Sequence, residues 1–283
     1  IYIKIYFYNE KLNMNISRDE IKLAGYFSGT DKVTHHGYER FYSDFLNRSK
    51  ICNQILEIGY GEGQSIKFWK QIFPNSFLNI IDLDKSEIGN GYQVFKCDQS
   101  SLKDLKKIKK KLEAKSIDLI IDDGSHIPEH IILTFNLFFK SLLNENCTYI
   151  IEDIETSYWT NSECYGYPTN YGIDSKKSIV NSFFVLTHWL NREFLREKQK
   201  NNLEKKIKSL GFNIDTVNSI RSITFGHNCI CINKNSKDDL KYLNRDYRWK
   251  LKLNRFININ MFKTKKLKNL LIKLKIYNLI KKV

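Results

Sequence analysis

The chain has 283 residues, 42% of them hydrophobic and 27% charged, with thirteen glycines and three prolines. That composition excludes a disordered, collagen-like or low-complexity protein and suits one large globular domain with an appendage. No stretch approaches the ~18 uninterrupted apolar residues of a membrane span, and the six cysteines form no CxxC pair, so reduced thiols in a reducing, cytoplasmic compartment are expected. The formal net charge of +15 is unevenly spread, because fifteen Lys and Arg against three Asp fall after residue 235. The body before that point is therefore close to neutral, and nucleic acid is not an expected partner.

Residues 1–15 read as an extension of uncertain standing, too short and too interrupted by Lys4 for a signal peptide. From Ser17 the S-x-x-E spacing to Glu20 predicts a capped helix start. Residues 50–155 then alternate short apolar runs with longer amphipathic ones. QILEIG (54–59), FLNIID (77–82), IDLIID (117–122) and CTYIIED (147–153) read as buried strands. GQSIKFWKQIF (63–73), SLKDLKKIKKKLEA (101–114) and PEHIILTFNLFFKSLL (128–143) read as the helices between them. Continuous Ile/Leu runs separated by helices predict an α/β class, doubly wound, with a mostly parallel sheet. Further helices are expected over 178–195 and 202–211, followed by late strands or an antiparallel hairpin in FNIDTV, SITFGH and CICINK. The predicted domain covers residues 16–235, and 236–283 form a basic extension.

The first strand runs into Glu57-Ile58-Gly59-Tyr60-Gly61-Glu62-Gly63-Gln64-Ser65 and at once into a helix. Glycines there permit a tight turn against a ligand, and the helix start offers free N–H groups. Asp82 closes the second strand, where a carboxylate can take two ribose hydroxyls. A dinucleotide site normally reads G-x-G-x-x-G, whereas this turn is G-x-G-x-G with Glu57 just ahead of it. That carboxylate would repel a pyrophosphate and suits a cationic sulfonium ligand, which leaves an NAD-dependent oxidoreductase as the second reading.

The third strand ends in Asp122-Asp123-Gly124-Ser125-His126 and the fourth in Glu152-Asp153. In an open α/β sheet such strand ends share one edge, the edge where ligands bind. Clustered carboxylates repel one another unless a cation sits among them, and hard oxygen ligands suit Mg²⁺. The alternative is that Asp122 and Asp153 merely cap turns. His126, three residues past Asp123 on the same edge, is a general-base candidate because imidazole titrates near neutral pH.

The glycine turn resembles the first motif of class I S-adenosylmethionine-dependent methyltransferases, and Asp82 resembles their ribose-binding acid. IDDGSH (121–126) and YIIEDIETSYW (149–159), with GTDKVTHHGYERFY (29–42) upstream, narrow the likeness. They resemble the metal-dependent macrolide-sugar O-methyltransferases of the mycinamicin and demethylmacrocin type. The resemblance implies a Rossmann-like methyltransferase fold and S-adenosylmethionine held by Glu57, Gly59, Gly61, Gly63, Ser65 and Asp82. It places Asp98 and Gln99 in the adenine loop, and Mg²⁺ on Asp123, Glu152 and Asp153. His126 would take the proton of a hydroxyl on a saccharide or glycosylated small-molecule acceptor, with Tyr158 and Trp159 lining the acceptor site. Asp31, Lys32, His36 and Tyr38 would belong to a segment closing over the cofactor or acceptor.

The tail from 263 to 283 carries eight lysines and no acid, with Leu267, Leu270, Leu271 and Leu274 on one helical face. A basic amphipathic helix of this kind is expected either to lie on the inner surface of an anionic membrane, through residues 261–283, or to dock on the body or another subunit in a homo-oligomer. A membrane or nucleic-acid adaptor acting through this tail alone is the non-enzymatic alternative.

Overall fold

The computed structural model describes residues 15–46, 52–113 and 116–239. The N-terminal extension and the basic tail, with the expectations attached to them, lie outside the described residues.

Helix α1 (Arg18–Ser28) opens with the expected capping box: Glu20 N–H donates to Ser17 Oγ at 3.2 Å, and Ser17 N–H donates to Glu20 Oε2 at 2.9 Å. A left-handed Gly29 ends it. Short helices α2 (Asp31–Thr34) and α3 (Glu39–Leu46) follow and lead towards the sheet.

The sheet then forms as β1 (Gln54–Ile58), β2 (Phe77–Asp82), β3 (Glu87–Gly89), β4 (Tyr92–Lys96), β5 (Ile117–Asp122) and β6 (Leu143–Glu152). Helices α4 (Gln64–Ile72), α5 (Leu102–Leu112) and α6 (Pro128–Phe138) cross between strands. A small hairpin, β7 (Ser162–Cys164) and β8 (Tyr167–Thr169), precedes α7 (Ile179–Leu190), α8 (Glu197–Ser209) and α9 (Ile214–Val217). Strands β9 (Ile220–Phe225) and β10 (Cys229–Lys234) close the described chain.

The eight strands lie in the order β3-β4-β2-β1-β5-β6-β10-β9. Strands β4, β2, β1, β5 and β6 are mutually parallel, while β10 runs antiparallel to both β6 and β9. This is the mostly parallel, doubly wound sheet with a late antiparallel hairpin that the sequence predicts. None of the described helices is long and apolar enough to cross a membrane.

Both faces of the sheet are covered, which explains the unbroken apolar runs. Alternate strand residues feed two separate cores. Leu56, Ile58, Ile81, Ile120, Tyr149 and Ile151 pack with the helices after β4, and Ile55, Ile80, Leu119, Ile121 and Ile150 pack with α1, α3 and α4. None of the six cysteines, all of them among the described residues, forms a disulfide, and five are buried.

Three details differ from the sequence reading. FNIDTV folds as a loop and the helical turn α9 rather than a strand, because Asn213 Oδ1 accepts the Asp215 N–H at 2.8 Å while Phe212 and Val217 anchor the turn in the core. Tyr92–Lys96 is a strand that the sequence does not single out. Its Val94 and Phe95 are buried on opposite faces, but with three polar neighbours the apolar run is short. The helix over 178–195 ends at Leu190 and passes into a 3-10 turn at Arg192–Phe194.

The chain runs outward from β1 through β2 to β4, then returns to the other side of β1 as β5. The carboxyl ends of β1 and β5 therefore flank the topological switch point, where α/β sheets bind ligands. At that point the two chains nearly touch. A Cβ on Gly59, whose φ is +101°, would lie 2.0 Å from the Asp123 carbonyl oxygen. Gly59→Ala is thus expected to push the strand ends apart and to cost more than about 2 kcal/mol, read as a lowered denaturant midpoint.

Candidate active site

An open cavity of about 830 Å³ occupies the switch point. One wall is the glycine turn after β1, with Gly59, Gly61 and Ser65, and beside it stands Asp82 at the end of β2. Asp98 and Gln99 after β4 line its far side, and Asp123, His126 and Asp153 line its acidic end.

Asp82 is fixed by backbone donors. Its Oδ2 accepts the Tyr60 N–H at 3.2 Å, and its Oδ1 accepts the Asp84 and Lys85 N–H groups at 2.9 Å each. Asp98 similarly holds its loop, accepting Ser100 N–H at 2.8 Å and Ser100 Oγ at 2.7 Å. Gln99 is buried and committed to structure: its Nε2 donates to Asp122 Oδ1 at 2.8 Å, and its Oε1 accepts the Ser125 N–H at 2.9 Å. Gln99 thereby ties the loop after β4 to the loop that carries His126.

The strand-end acids separate into inward and outward groups. Asp122 points into the core, where Tyr149 OH donates to it at 2.6 Å, and burial pushes its carboxyl up to about 6. Glu57 and Glu152, each 1% exposed, are also absent from the cavity wall. Ser65 Oγ donates to Glu57 at 2.8 Å, and Tyr42 OH donates to Glu152. Burial pushes both carboxyls upward, and the nearby Lys32 opposes the shift.

Lys32 is the hub of this arrangement. It is 1% exposed, and its Nζ lies 2.7 Å from Glu152 Oε2 and 3.4 Å from Glu57 Oε1, and donates as well to Asp123 Oδ2. Burial alone would depress the ammonium, but Asp123, Glu152 and Glu57 reverse this and hold its pKa well above the usual lysine value. Lys32 therefore stays charged and compensates acids contributed by β1, by β6 and by the loop after β5. The segment 29–42 that the resemblance sets over the cofactor or acceptor does contribute Asp31 and Lys32 to the cavity wall.

Asp123 and Asp153 carry the carboxylates that remain open to the cavity. Asp153 sits just past β6 with φ +51°, held by Tyr38 OH at 2.5 Å and by Asn228 Nδ2 at 3.2 Å, with His36 Nδ1 at 3.4 Å. Burial and the charge of Asp123 push the Asp153 carboxyl upward. His126, also at positive φ (+56°), places Nε2 4.0 Å from Asp123 Oδ1. Its Nδ1 is buried without a hydrogen-bond partner among the described residues. Thr156 Oγ1 donates to the His126 carbonyl at 2.8 Å and locks the backbone in place.

Asp123, His126 and Asp153 each offer one ligand atom, and these atoms lie within 4.8 Å of one another. The two carboxylates of Asp123 and Asp153, facing an open cavity, fit a hard divalent cation of the Mg²⁺ or Mn²⁺ kind, with the His126 imidazole beside them. Glu152, predicted alongside Asp123 and Asp153, is adjacent in the chain but engaged by Lys32 and Tyr42.

Tyr158 and Trp159 do not line the cavity, and Tyr158 is 54% exposed. The aromatic wall is formed instead by Tyr165 and Tyr167 of the hairpin, together with His130 of α6. Ser125 Oγ and His130 Nδ1 are 2.9 Å apart. The only local sign of these residues is the Tyr165-Gly166-Tyr167 string, a turn signal between short runs that carries no indication of which loop it meets.

No family model matches the chain. Over 157 residues, 50% of the chain, it is 32% identical to the 8-demethyl-8-alpha-L-rhamnosyl tetracenomycin-C 2'-O-methyltransferase of Streptomyces olivaceus, and the match takes in 40% of that protein. It is 35% identical over 124 residues to the L-olivosyl-oleandolide 3-O-methyltransferase of Streptomyces antibioticus, covering 41% of the chain and 31% of that relative. The chain thus spans well under two thirds of the relatives it matches. Among solved structures it resembles MycE, a methyltransferase of the mycinamycin biosynthetic pathway in complex with Mg, SAH and mycinamycin VI. The TM-score is 0.60 at 21% identity, covering 78% of this chain and 56% of that one. The chain therefore resembles macrolide-sugar O-methyltransferases in sequence and has the Rossmann-like methyltransferase fold.

Lys32→Met should leave three carboxylates uncompensated and cost about 3–5 kcal/mol, as breaking a buried ion pair does. Combining it with Glu152→Gln should restore part of that loss. Without Lys32 the buried carboxyls take up protons more readily in the folded than in the unfolded chain. Chemical denaturation should therefore show the deficit of Lys32→Met shrinking as the pH falls from 7 to 5.

Proposed function

We propose that the protein is an S-adenosylmethionine-dependent O-methyltransferase, with Mg²⁺, acting on a hydroxyl of a saccharide or glycosylated small molecule. The observation that carries this reading is the convergence, at one switch point, of a glycine turn, a strand-end Asp82 and the Asp123–His126–Asp153 group. Support from relatives lies in the two similar O-methyltransferases, one of a rhamnosyl tetracenomycin and one of an olivosyl oleandolide.

When bound, S-adenosylmethionine supplies the methyl group and Mg²⁺ supplies the charge that makes an acceptor hydroxyl more acidic. The roles of the chain's own residues follow from where they are held. Asp82, with its N–H donors fixing its orientation, keeps lone pairs for ribose hydroxyls. The turn places Gly59 and Gly61 on the cavity wall and leads, through the left-handed N-cap Gly63 that does not itself line the cavity, into α4, whose first residues Gln64 and Ser65 do. Glu57 anchors this turn from behind, through Ser65 and Lys32, in place of the direct contact expected from sequence. Asp98 and Gln99 shape the far wall.

Asp123 and Asp153 would hold the cation, with Glu152 supporting them through Lys32. His126 accepts the acceptor's proton at Nε2, the nitrogen nearer Asp123. An alcohol is a poor nucleophile at neutral pH, so positioning by the acids and proton removal by His126 both contribute to rate.

Transfer of isotopically labelled methyl from S-adenosylmethionine to rhamnoside and olivoside acceptors tests this reading, and labelled glycoside is expected. His126→Ala should lower turnover roughly 10²–10⁴-fold with S-adenosylhomocysteine affinity unchanged. Chelation with EDTA should abolish transfer, and Mg²⁺ or Mn²⁺ should restore it. Failure of every sugar acceptor alongside intact S-adenosylhomocysteine binding would overturn the acceptor class.

A further inference from the structure

The β7–β8 hairpin is built in a way that packing alone does not explain. It consists of two three-residue strands, a size that is marginal without outside support. Its two turn residues, Tyr165 (φ +49°) and Gly166 (φ +81°), are both left-handed. The first position of such a turn favours Asn, Asp or Gly. Tyrosine there carries backbone strain of about 1–2 kcal/mol, and the residue is 76% exposed, so burial does not offset that cost.

The hairpin and the residues just after it are nevertheless fastened around the site, to the His126 loop, to the first turn of α6 and to the chain after β6. Cys164 Sγ lies 3.6 Å from the Ser125 carbonyl, and the Tyr167 ring meets His130 edge-on at 4.9 Å. Tyr171 OH, just beyond β8, donates to Glu129 at 2.9 Å, and the Tyr171 N–H donates to the Trp159 carbonyl at 2.7 Å. These contacts set the Tyr165 ring 5.9 Å from the His126 ring at 38°, on the cavity wall.

From this we infer that Tyr165 is the aromatic platform for the acceptor's pyranose ring and so a specificity-determining residue. The inference rests on the proposed function and adds the group that presents the acceptor to His126. A pyranose has faces of C–H bonds and edges of hydroxyls. The C–H bonds carry partial positive charge and complement the negative face of an aromatic ring. A sugar resting on Tyr165 directs an edge hydroxyl towards His126, Asp123 and Asp153. Tyrosine adds contact area with few torsions to freeze, and the anchored hairpin holds it in place beforehand. The requirement is for a flat aromatic ring, and the phenol hydroxyl is dispensable.

Saturation-transfer NMR with methyl α-L-rhamnopyranoside as probe, in the presence of Mg²⁺ and S-adenosylhomocysteine, tests this on the full chain. The wild type should bind the probe, Tyr165→Ala roughly tenfold more weakly, and Tyr165→Phe and Tyr165→Trp within about twofold of the wild type. S-adenosylhomocysteine affinity, measured by calorimetry, should be equal in all four proteins. Equal probe binding by the wild type and Tyr165→Ala, or no probe binding by the wild type, overturns the inference. Loss of S-adenosylhomocysteine binding by the wild type would instead overturn the proposed function.

Discussion

The buried ammonium of Lys32 is the interaction on which the site depends. Strand ends of a parallel sheet converge at one edge, and here β1, β5 and β6 all bring acids to that edge. Glu57, Asp123 and Glu152 approach one group of atoms. Without a cation among them, their repulsion and desolvation would protonate them or force the strand ends apart. A resident lysine resolves this for the inner acids and keeps its charge through their field.

The consequence is a division of labour within one acidic cluster. Asp122, Glu57 and Glu152 are consumed by the fold, through Tyr149 and Gln99, Ser65, and Tyr42 with Lys32. Asp123 and Asp153 keep oxygens facing the cavity, beside His126. Both His126 and Asp153 hold positive φ values, local strain sustained by the contacts of Thr156, Tyr38 and Asn228. The segment from α2 through α3 supplies Lys32, His36, Tyr38 and Tyr42, so it forms part of the site from the first and is more than a cover placed over it.

Features that depend on local pattern were readable from the sequence. The parallel strands are written in Ile/Leu runs, the first helix in Ser17 and Glu20, and the switch-point turn in its glycines. The acids at strand ends were also legible, because topology puts all such ends on one edge. What escaped reading was long-range pairing. Nothing near Lys32 indicates that it is buried 91 residues away in sequence from Asp123 and 120 from Glu152. Gln99 reads as a ligand-facing loop residue until Asp122 and Ser125 meet it. The sequence points to Tyr158 and Trp159, next to the acidic motif, as acceptor-side aromatics, whereas the cavity is lined by Tyr165 and Tyr167, carried there by a hairpin whose docking is tertiary.

The proposed function stands or falls on whether this switch point binds S-adenosylmethionine. Calorimetric titration of S-adenosylhomocysteine into the full chain, with Mg²⁺ present, tests it most directly when wild type and Asp82→Asn are compared. Micromolar binding is expected of the wild type, and a loss of at least about tenfold, the equivalent of ~1.4 kcal/mol, in the variant. Folded wild-type protein that binds no S-adenosylhomocysteine, or binds NADH in its place, would contradict it.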